Sequence, residues 1–253
     1  MRRSDTGLFS SPQMAFHIFE GLGLGYKIRQ QTSEVCRPVT VLLMNPNSCR
    51  ETTQTMCRIA GGVLGDVPSG WTADAGPRLL TSPEALDAAA ACVATARVPA
   101  DAQAVIVAAF GDPGAGALQR RIPVQVIGIG AAAARACGRA GARFAVATTT
   151  PALRGRIDAL MAAGRGGYLG CFLAEGDPVE LMASEDTLDR GLLAAVERAA
   201  LAGAERVIIG GGPLGAAAER LSQVSPVRLV NPLRAAAEEV LGRLAAAQTA
   251  HMA

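Results

Sequence analysis

The sequence contains few aromatic residues and almost no net charge. Phe, Trp and Tyr make up 4% of its 253 residues, and the formal charge is +2. Little material is therefore available for base stacking, and the scattered arginines form no basic stripe, so we expect no nucleic-acid partner. Gly, Pro or charged residues interrupt every long apolar segment before it reaches membrane-spanning length, so we expect no transmembrane helix and no membrane partner.

Metal-binding patterns are missing as well. The only histidines, His17 and His251, lie near the chain ends, and none of the six cysteines forms a Cys-x-x-Cys pair. We therefore expect no metal site and reduced thiols in a cytoplasmic protein. Cys57, Cys92 and Cys137 occur in Ala-rich helical patterns, which predicts that they are small core residues.

The first 37 residues lack the strand-and-turn pattern of the rest of the chain. A mildly apolar patch from Met14 to Tyr26 is interrupted by Glu20, and no small-residue cleavage site follows it. A signal peptide is therefore the weaker interpretation. We expect residues 1–37 to be a disordered extension, or the product of a start codon placed too far upstream.

What the sequence does contain is an internal repeat. Three apolar runs of strand length, each followed by a turn of small or polar residues, recur at offsets of 105, 102 and 103 residues. The paired segments are Val39 to Ser48 with Phe144 to Pro151, Val105 to Gly114 with Val207 to Gly215, and Pro123 to Val126 with Pro226 to Leu229. Two similar halves of this kind can face each other across one cleft, with matching loops on either side.

Strands alternate with helices in both halves, which predicts right-handed βαβ units and parallel sheets. The predicted fold class is α/β, with two pseudo-twofold-related parallel-sheet domains and the active site in the cleft between them. We expect a first domain of residues 38–130 plus 229–250 and a second of residues 131–228, so that the last strand and helix return to the first domain. A Pro/Gly-rich link without a strand is expected between the helices near Thr52 to Leu64 and Pro83 to Arg97.

Three turns carry a resemblance to a known family. Asn45-Pro46-Asn47-Ser48, Phe110-Gly111-Asp112-Pro113-Gly114 and Thr148-Thr149-Thr150 resemble the motifs of the aspartate/glutamate/hydantoin racemase superfamily, nearest to its hydantoin racemase branch. The resemblance covers roughly Val39 to Leu241 and includes the order of the motifs. It implies a cofactor-free active site between two α/β domains, and proton transfer at a carbon α to a carbonyl.

Inverting a stereocentre without a cofactor requires two acid/base groups, one on each face of the carbon. The resemblance implies two cysteines in these roles, placed just before Phe110 and just after Gly210. This sequence has Ala109 and Gly211 at those positions, and neither residue can exchange a proton. The resemblance therefore supports the scaffold more than the two-thiol reaction.

Two other residues are candidates for proton transfer. Asp112 is the one carboxylate in the motif turns, although Asp-Pro-Gly is also an ordinary turn sequence. Cys49 lies at a predicted helix N-terminus, where the helix dipole lowers a thiol pKa, but an inert core cysteine is the more frequent case.

The predicted substrate-binding residues all lie in the same turns. They are Asn45, Asn47, Ser48, Phe110, Thr148, Thr149, Thr150, Gly211 and Gly212. Helix capping alone is the simpler role for the Asn, Ser and Thr side chains, and the glycine turn has the composition of an anion cradle at a helix start. We expect the loops Asn45 to Cys49, Ala109 to Gly114, Thr148 to Thr150 and Gly210 to Leu214 to converge on one pocket.

Three functions from different classes are compatible with these residues. The first is a cofactor-independent isomerase acting at the α-carbon of an amino-acid derivative or a hydantoin-like molecule. The second is a lyase or hydrolase that uses one acid/base group, and the third is a catalytically silent protein that binds small anions. In each case we expect a small-molecule ligand and no cofactor, and we expect a homo-oligomer.

Overall fold

Short apolar strands and helices alternate along the chain in the computed structural model, which describes residues 39–139, 141–164 and 166–252. The expected extension of residues 1–37, with His17, lies outside the described residues. The strands are β1 Val41–Asn45, β2 Ser69–Thr72, β3 Ala104–Val107, β4 Gln125–Gly128, β5 Arg143–Thr148, β6 Gly167–Leu173, β7 Arg206–Ile209 and β8 Arg228–Val230. The α-helices are α1 Arg50–Leu64, α2 Pro83–Thr95, α3 Ala115–Arg121, α4 Ile129–Gly138, α5 Arg154–Ala162, α6 Pro178–Met182, α7 Glu185–Leu201, α8 Gly215–Leu221 and α9 Pro232–Met252, and a 3-10 turn occupies Pro151–Leu153.

The strands form two four-stranded parallel sheets with the same order. The first sheet has the order β2-β1-β3-β4 and the second β6-β5-β7-β8. The predicted α/β class with two related parallel-sheet halves is therefore confirmed. In each sheet the two central strands pair directly with each other. Met44 of β1 is the register partner of Val107 of β3, and Ala147 of β5 is the register partner of Ile209 of β7. The loops that follow these strands consequently lie side by side at the carboxyl edge of each sheet.

Two details differ from the sequence prediction. The expectation that the last strand returns to the first half is wrong, because β8 pairs with β7 in the second sheet. The repeat gives the reason, since β4 likewise pairs with β3 of its own half. The link between α1 and α2 contains the strand β2, whose short Ser-Gly-Trp-Thr sequence is largely exposed and carries no apolar alternation.

Helices α4 and α9 pack against each other and join the two halves. Helix α9 also packs on α1 and β4 of the first half, while α4 contacts β7 and β8 of the second. One ionic cluster fastens this junction: the buried carboxylate of Glu239 pairs with Arg135 at 2.8 Å and with Arg243 at 2.5 Å. Helix α9 follows β8 of the second half but packs on the first half, and α4 follows β4 of the first half but contacts the second. These two helices therefore connect the halves.

The described residues belong to one compact unit, and the largest of three apolar core clusters extends through both halves. Leu43 and Ile106 of the first sheet lie in the same cluster as Phe144 and Ile208 of the second. The domain boundaries at 130/131 and 228/229 stay a prediction.

The cysteines divide into buried and exposed. Cys57 and Cys137 are buried as predicted, but the expectation for Cys92 is wrong, because its helix turns that position towards solvent. Burial raises the pKa of Cys57 and Cys137 to about 11 and that of Cys171 to about 12, so these three thiols stay protonated at neutral pH.

No helix within the described ranges is both long enough and apolar enough to span a membrane.

Candidate functional site

A cavity of about 40 Å³ lies where the loops after β1, β3, β5 and β7 meet. Each of the four loops predicted to converge contributes at least one lining residue. The residues that line the cavity are Asn47, Leu79, Leu80, Ala109, Phe110, Thr148, Thr149, Thr150, Leu153, Ile157, Gly210, Gly211, Gly212, Pro213 and Leu214. Both halves of the chain therefore supply its walls, as expected for a site at the carboxyl edge of parallel sheets.

The turn after β1 is held by a buried asparagine pair. The Asn45 carboxamide donates to Thr53 Oγ1 at 2.9 Å, and its Oδ1 accepts from the backbone and side chain of Asn47 at 3.0 and 2.9 Å. Asn47 lines the cavity and accepts from the Leu80 amide at 3.0 Å. Asn45 does not line the cavity, so within this turn it positions Asn47.

The three threonines after β5 all line the cavity, but their hydroxyls differ in what they bond. Thr148 donates to the Gly210 carbonyl at 2.6 Å, which ties this turn to the one after β7. Thr150 lies 3.4 Å from the Thr148 hydroxyl. Thr149 is 2% exposed, and its hydroxyl makes no hydrogen bond within the described part of the chain. Since every fully buried side-chain N or O atom there has a partner, the Thr149 oxygen keeps some contact with solvent.

The backbone of the glycine turn comes unusually close to neighbouring atoms. A Cβ built on Gly212 would lie 2.2 Å from the Ala108 carbonyl oxygen, which belongs to the first half. A Cβ on Gly211 would lie 2.9 Å from Cγ of Leu214, whose buried side chain covers that glycine. Glycine at 212 thus allows the two halves to touch, and Leu214 fills the space beside position 211.

Several backbone N–H groups in the turns after β5 and β7 are unpaired. Among the described residues, the backbone amides of Thr149, Thr150, Gly211 and Gly212 have no protein acceptor. A buried amide without an acceptor costs free energy, so such groups are normally satisfied by water or by a ligand.

The cavity wall contains no strong proton carrier. The described residues that line it include no Cys, His, Asp, Glu, Lys, Arg or Tyr. Ala109 and Gly211, the positions that match the family thiols, both belong to the wall. The polar atoms facing a bound molecule would therefore be hydroxyls, carboxamides and backbone groups.

Asp112 lies in the turn after β3 but not in the cavity wall. Its two carboxylate oxygens accept from the amides of Gly130 and Ala131, each at 2.7 Å, and these amides belong to the first turn of α4. Burial raises the pKa of Asp112 to about 6, and the two amides oppose that rise. Its φ of 52° is the only positive value among the described non-glycine residues. The carboxylate thus fastens the β3 loop to α4.

We expect Asp112→Ala to lower the free energy of unfolding by about 2 kcal/mol, because two helix amides lose their acceptor. Asp112→Asn, which keeps one acceptor oxygen and tolerates positive φ, should lose about half as much. Urea unfolding followed by circular dichroism measures both. A structural role for Asp112 would be refuted if both variants unfolded like the native chain but lost ligand turnover.

Cys49 and Ser48 also face away from the cavity wall. Cys49 precedes α1, where its sulfur lies 3.6 Å from a Glu51 carboxylate oxygen and accepts from the Arg78 guanidinium at 3.3 Å. Ser48 donates to the Gly76 carbonyl at 2.9 Å. Both side chains therefore attach the β1 turn to the segment that follows β2.

Four apolar wall residues were missed by sequence reasoning. Leu79 and Leu80 come from the link after β2, and Leu153 and Ile157 come from the 3-10 turn and α5. The only sequence signal was an apolar Leu-Leu pair at the end of a Pro/Gly-rich stretch.

No group of three His, Cys, Asp or Glu side chains in the described ranges is arranged to hold a metal ion.

Comparison with known proteins gives one family and several similar structures. The family model for Asp/Glu/Hydantoin racemase matches residues 41–240. Allantoin racemase from Pseudomonas fluorescens is 25% identical, with a TM-score of 0.72 over 82% of this chain and 92% of that one. Allantoin racemase from Klebsiella pneumoniae is 22% identical, with a TM-score of 0.71 over 83% and 89% of the two chains.

A more distant structural similarity is to a decarboxylase. A double mutant of arylmalonate decarboxylase in its liganded form is 18% identical, with a TM-score of 0.57 over 80% of this chain and 91% of that one. No curated protein sequence gives a significant match.

Proposed function

Because the chain belongs to the Asp/Glu/hydantoin racemase family, we propose that its cavity binds a small carboxylate or cyclic amide of the amino-acid-derivative or hydantoin-like type. The observation that carries this proposal is the set of unused donors in the cavity wall. The Thr149 hydroxyl, whose oxygen keeps some contact with solvent, and the amides of Thr149, Thr150, Gly211 and Gly212 make no bond to a protein acceptor among the described residues.

These donors come from two turns that belong to different central strands. The turn after β5 contributes Thr149 and Thr150, and the turn after β7 contributes Gly211 and Gly212. The bond from Thr148 to the Gly210 carbonyl holds the two turns together, so the donors need little reorganisation when a ligand arrives. A molecule that is rich in acceptor oxygens, such as a carboxylate or an imide ring, satisfies donors of this kind.

The size of the cavity restricts the ligand. About 40 Å³ holds roughly three water molecules, whereas ligand sites usually measure about 300–1,000 Å³. Binding therefore requires the wall to widen, and the apolar residues Leu80 and Leu214 are the bulky side chains that border the polar turns. We propose that only compact ligands, such as allantoin or a short-chain amino-acid derivative, are accepted.

Ligand binding without the family's two-thiol racemisation is the function that the geometry supports best. Proton abstraction on one face and delivery on the other require two carriers, and the described wall residues include no strong one. A one-base lyase or isomerase reaction is the second candidate; it would need Cys49 to turn towards the cavity, because its sulfur accepts from the Arg78 guanidinium at 3.3 Å outside the described wall. A cofactor-free reaction, a cytoplasmic location and a homo-oligomer stay predictions.

Replacing the Thr149 hydroxyl by a methyl group is expected to weaken ligand binding. A hydrogen bond to a charged acceptor contributes about 1.5–3 kcal/mol, so Thr149→Val should raise the Kd of a bound carboxylate by about 10- to 100-fold. Isothermal titration with allantoin, hydantoin-5-acetate and aspartate measures the effect. Thr95→Val, which alters an exposed threonine on α2, is the matched control and should bind like the native chain.

Equal affinity of Thr149→Val and the native chain for every bound ligand would refute this placement of the site. Deuterium exchange then separates the binder from the one-base enzyme: α-proton exchange in D₂O on one enantiomer, lost in Cys49→Ala, would establish the second candidate. Exchange on neither enantiomer, together with binding that depends on Thr149, would support the silent binder.

A further inference from the structure

A second and much larger cavity lies along β8, which is the edge strand of the second sheet. It measures about 380 Å³ and is bordered by α4, α8, the start of α9 and the strands β7 and β8. We call it the β8 groove. Its charged lining residues are Arg139, Arg206, Arg228, Arg234, Glu219 and Glu238. Its volume falls within the usual range for small-molecule sites, and it carries an excess of two positive charges.

Two of these arginines are held directly beside each other. Arg206 and Arg228 are the first residues of β7 and β8, and they pair in register across the two parallel strands. Like charges directly opposite on a sheet destabilise it. The arrangement costs free energy in the unliganded protein, and an anion between the two side chains would remove that cost.

Both guanidinium groups lie near α4. The buried thiol of Cys137, on that helix, has a raised pKa, and the positive charges of Arg206 and Arg228 act against the rise. Arg206 also donates to the Ala136 carbonyl at 3.1 Å. Arg139, at the end of α4, lines the same groove. Three arginines from three elements therefore converge on one space.

The acidic residues of the groove do not neutralise these three. Glu219 accepts from Asn231 at 2.7 Å and pairs with Arg234 at 3.7 Å, so it is already engaged. No salt bridge in the described ranges involves Arg139, Arg206 or Arg228, and Glu238 pairs with none of them. By contrast, Arg220 at the end of α8 is paired closely, with Asp189 at 2.7 Å.

We propose that the β8 groove binds a small dianion, a phosphate ester or a dicarboxylate, between Arg139, Arg206 and Arg228. Arginine presents a planar fork of donors that matches the oxygens of phosphate and carboxylate groups. Arg206 and Arg228 begin their strands, whereas the cavity of the proposed function lies beyond the strands' carboxyl ends, so the two sites are separate. The proposal does not depend on the proposed function.

The test uses the full chain and three probes, namely inorganic phosphate, glycerol 3-phosphate and succinate, at constant ionic strength with sodium chloride as the blank. Thermal shift and isothermal titration compare the native chain with Arg228→Gln, Arg139→Gln and the control Arg120→Gln. Arg120 is exposed on α3 and is likewise not in a salt bridge, so the control loses the same charge outside the groove.

At least one dianion should stabilise the native chain and Arg120→Gln, with binding at least 10-fold weaker in Arg228→Gln and Arg139→Gln. The two phosphate probes and succinate show which class of dianion is preferred. Without ligand, at low ionic strength, Arg228→Gln should melt at a higher temperature than Arg120→Gln, because it removes the repulsion across the strands. The proposal is overturned if no probe exceeds the chloride blank, or if all three variants bind equally.

Discussion

Cysteine introduced at positions 109 and 211 should create α-proton exchange, and the rate should rise further when Leu214 is shortened. The resemblance to the racemase family implies one thiol at each of these positions, and both positions lie in the wall of one cavity. Two thiols there would face a bound ligand from different halves of the chain. The residues at these positions in the native protein cannot transfer a proton, so its own exchange rate should be close to the uncatalysed rate.

Leu214 decides how well the second thiol can be placed. A Cβ at position 211 would meet Cγ and Cδ1 of Leu214 at 2.9 and 3.0 Å, closer than side-chain carbons normally approach. In Ala109→Cys/Gly211→Cys the leucine must move, and the thiol is held away from its reactive position. Adding Leu214→Ala removes the clashing atoms and also widens a cavity of only about 40 Å³.

A positioned acid/base group contributes about 10²- to 10⁴-fold to a rate. We therefore expect the triple variant to exchange the α-proton of allantoin or of a 5-substituted hydantoin at least about 100-fold faster than the native chain. Proton NMR in D₂O near pH 7 measures the exchange on each enantiomer, with an enzyme-free blank. Leu214→Ala alone and each single-cysteine variant are the controls.

Two other outcomes would show which assumption of this prediction is wrong. If the triple variant binds the ligand but exchanges no faster than Leu214→Ala alone, positions 109 and 211 do not face the reacting carbon. If the native chain already exchanges both enantiomers quickly, another group in the cavity transfers protons.

The second large effect, on the free energy of unfolding, is expected from adding a single methyl group at position 212. Gly212→Ala should lower the free energy of unfolding by about 3 kcal/mol or more, because its Cβ would lie 2.2 Å from the Ala108 carbonyl oxygen and 2.8 Å from Met56 Sδ. A backbone oxygen cannot rotate away as a side-chain end can. The turn after β7 must therefore separate from the first half, which opens the cavity.

Urea unfolding measures this loss, and Gly62→Ala is the matched control. Gly62 lies within α1, and a Cβ there would meet nothing within 4 Å. Replacing a helical glycine by alanine stabilises a chain by about 0.5–1 kcal/mol, so the control should change stability in the opposite direction. Unchanged stability of Gly212→Ala would show that the contact between the halves is looser than the structure indicates.

The local pattern of the sequence accounts for most of the fold. Apolar runs such as Val105 to Val107 form strands because every residue in them is buried, and the repeated turns place loops at the carboxyl ends of those strands. The same pattern could not reveal β2, because Ser69–Thr72 is short, contains glycine and is largely exposed. It also misplaced the last strand, since pairing depends on the partner strand rather than on the residues of β8 themselves.

By itself, then, the sequence determined the α/β class, the two related halves, the family and the turns that contribute to the cavity. The tertiary structure alone decided what each side chain in those turns does. It directs Asp112 to the amides of α4, leaves the Thr149 hydroxyl without a protein partner, and lays Leu214 over Gly211. It also brings together Arg139, Arg206 and Arg228, which are far apart in the chain. The physical reason is that strand, helix and turn formation follow local patterns of neighbouring residues, whereas these contacts depend on how separate strands and helices pack.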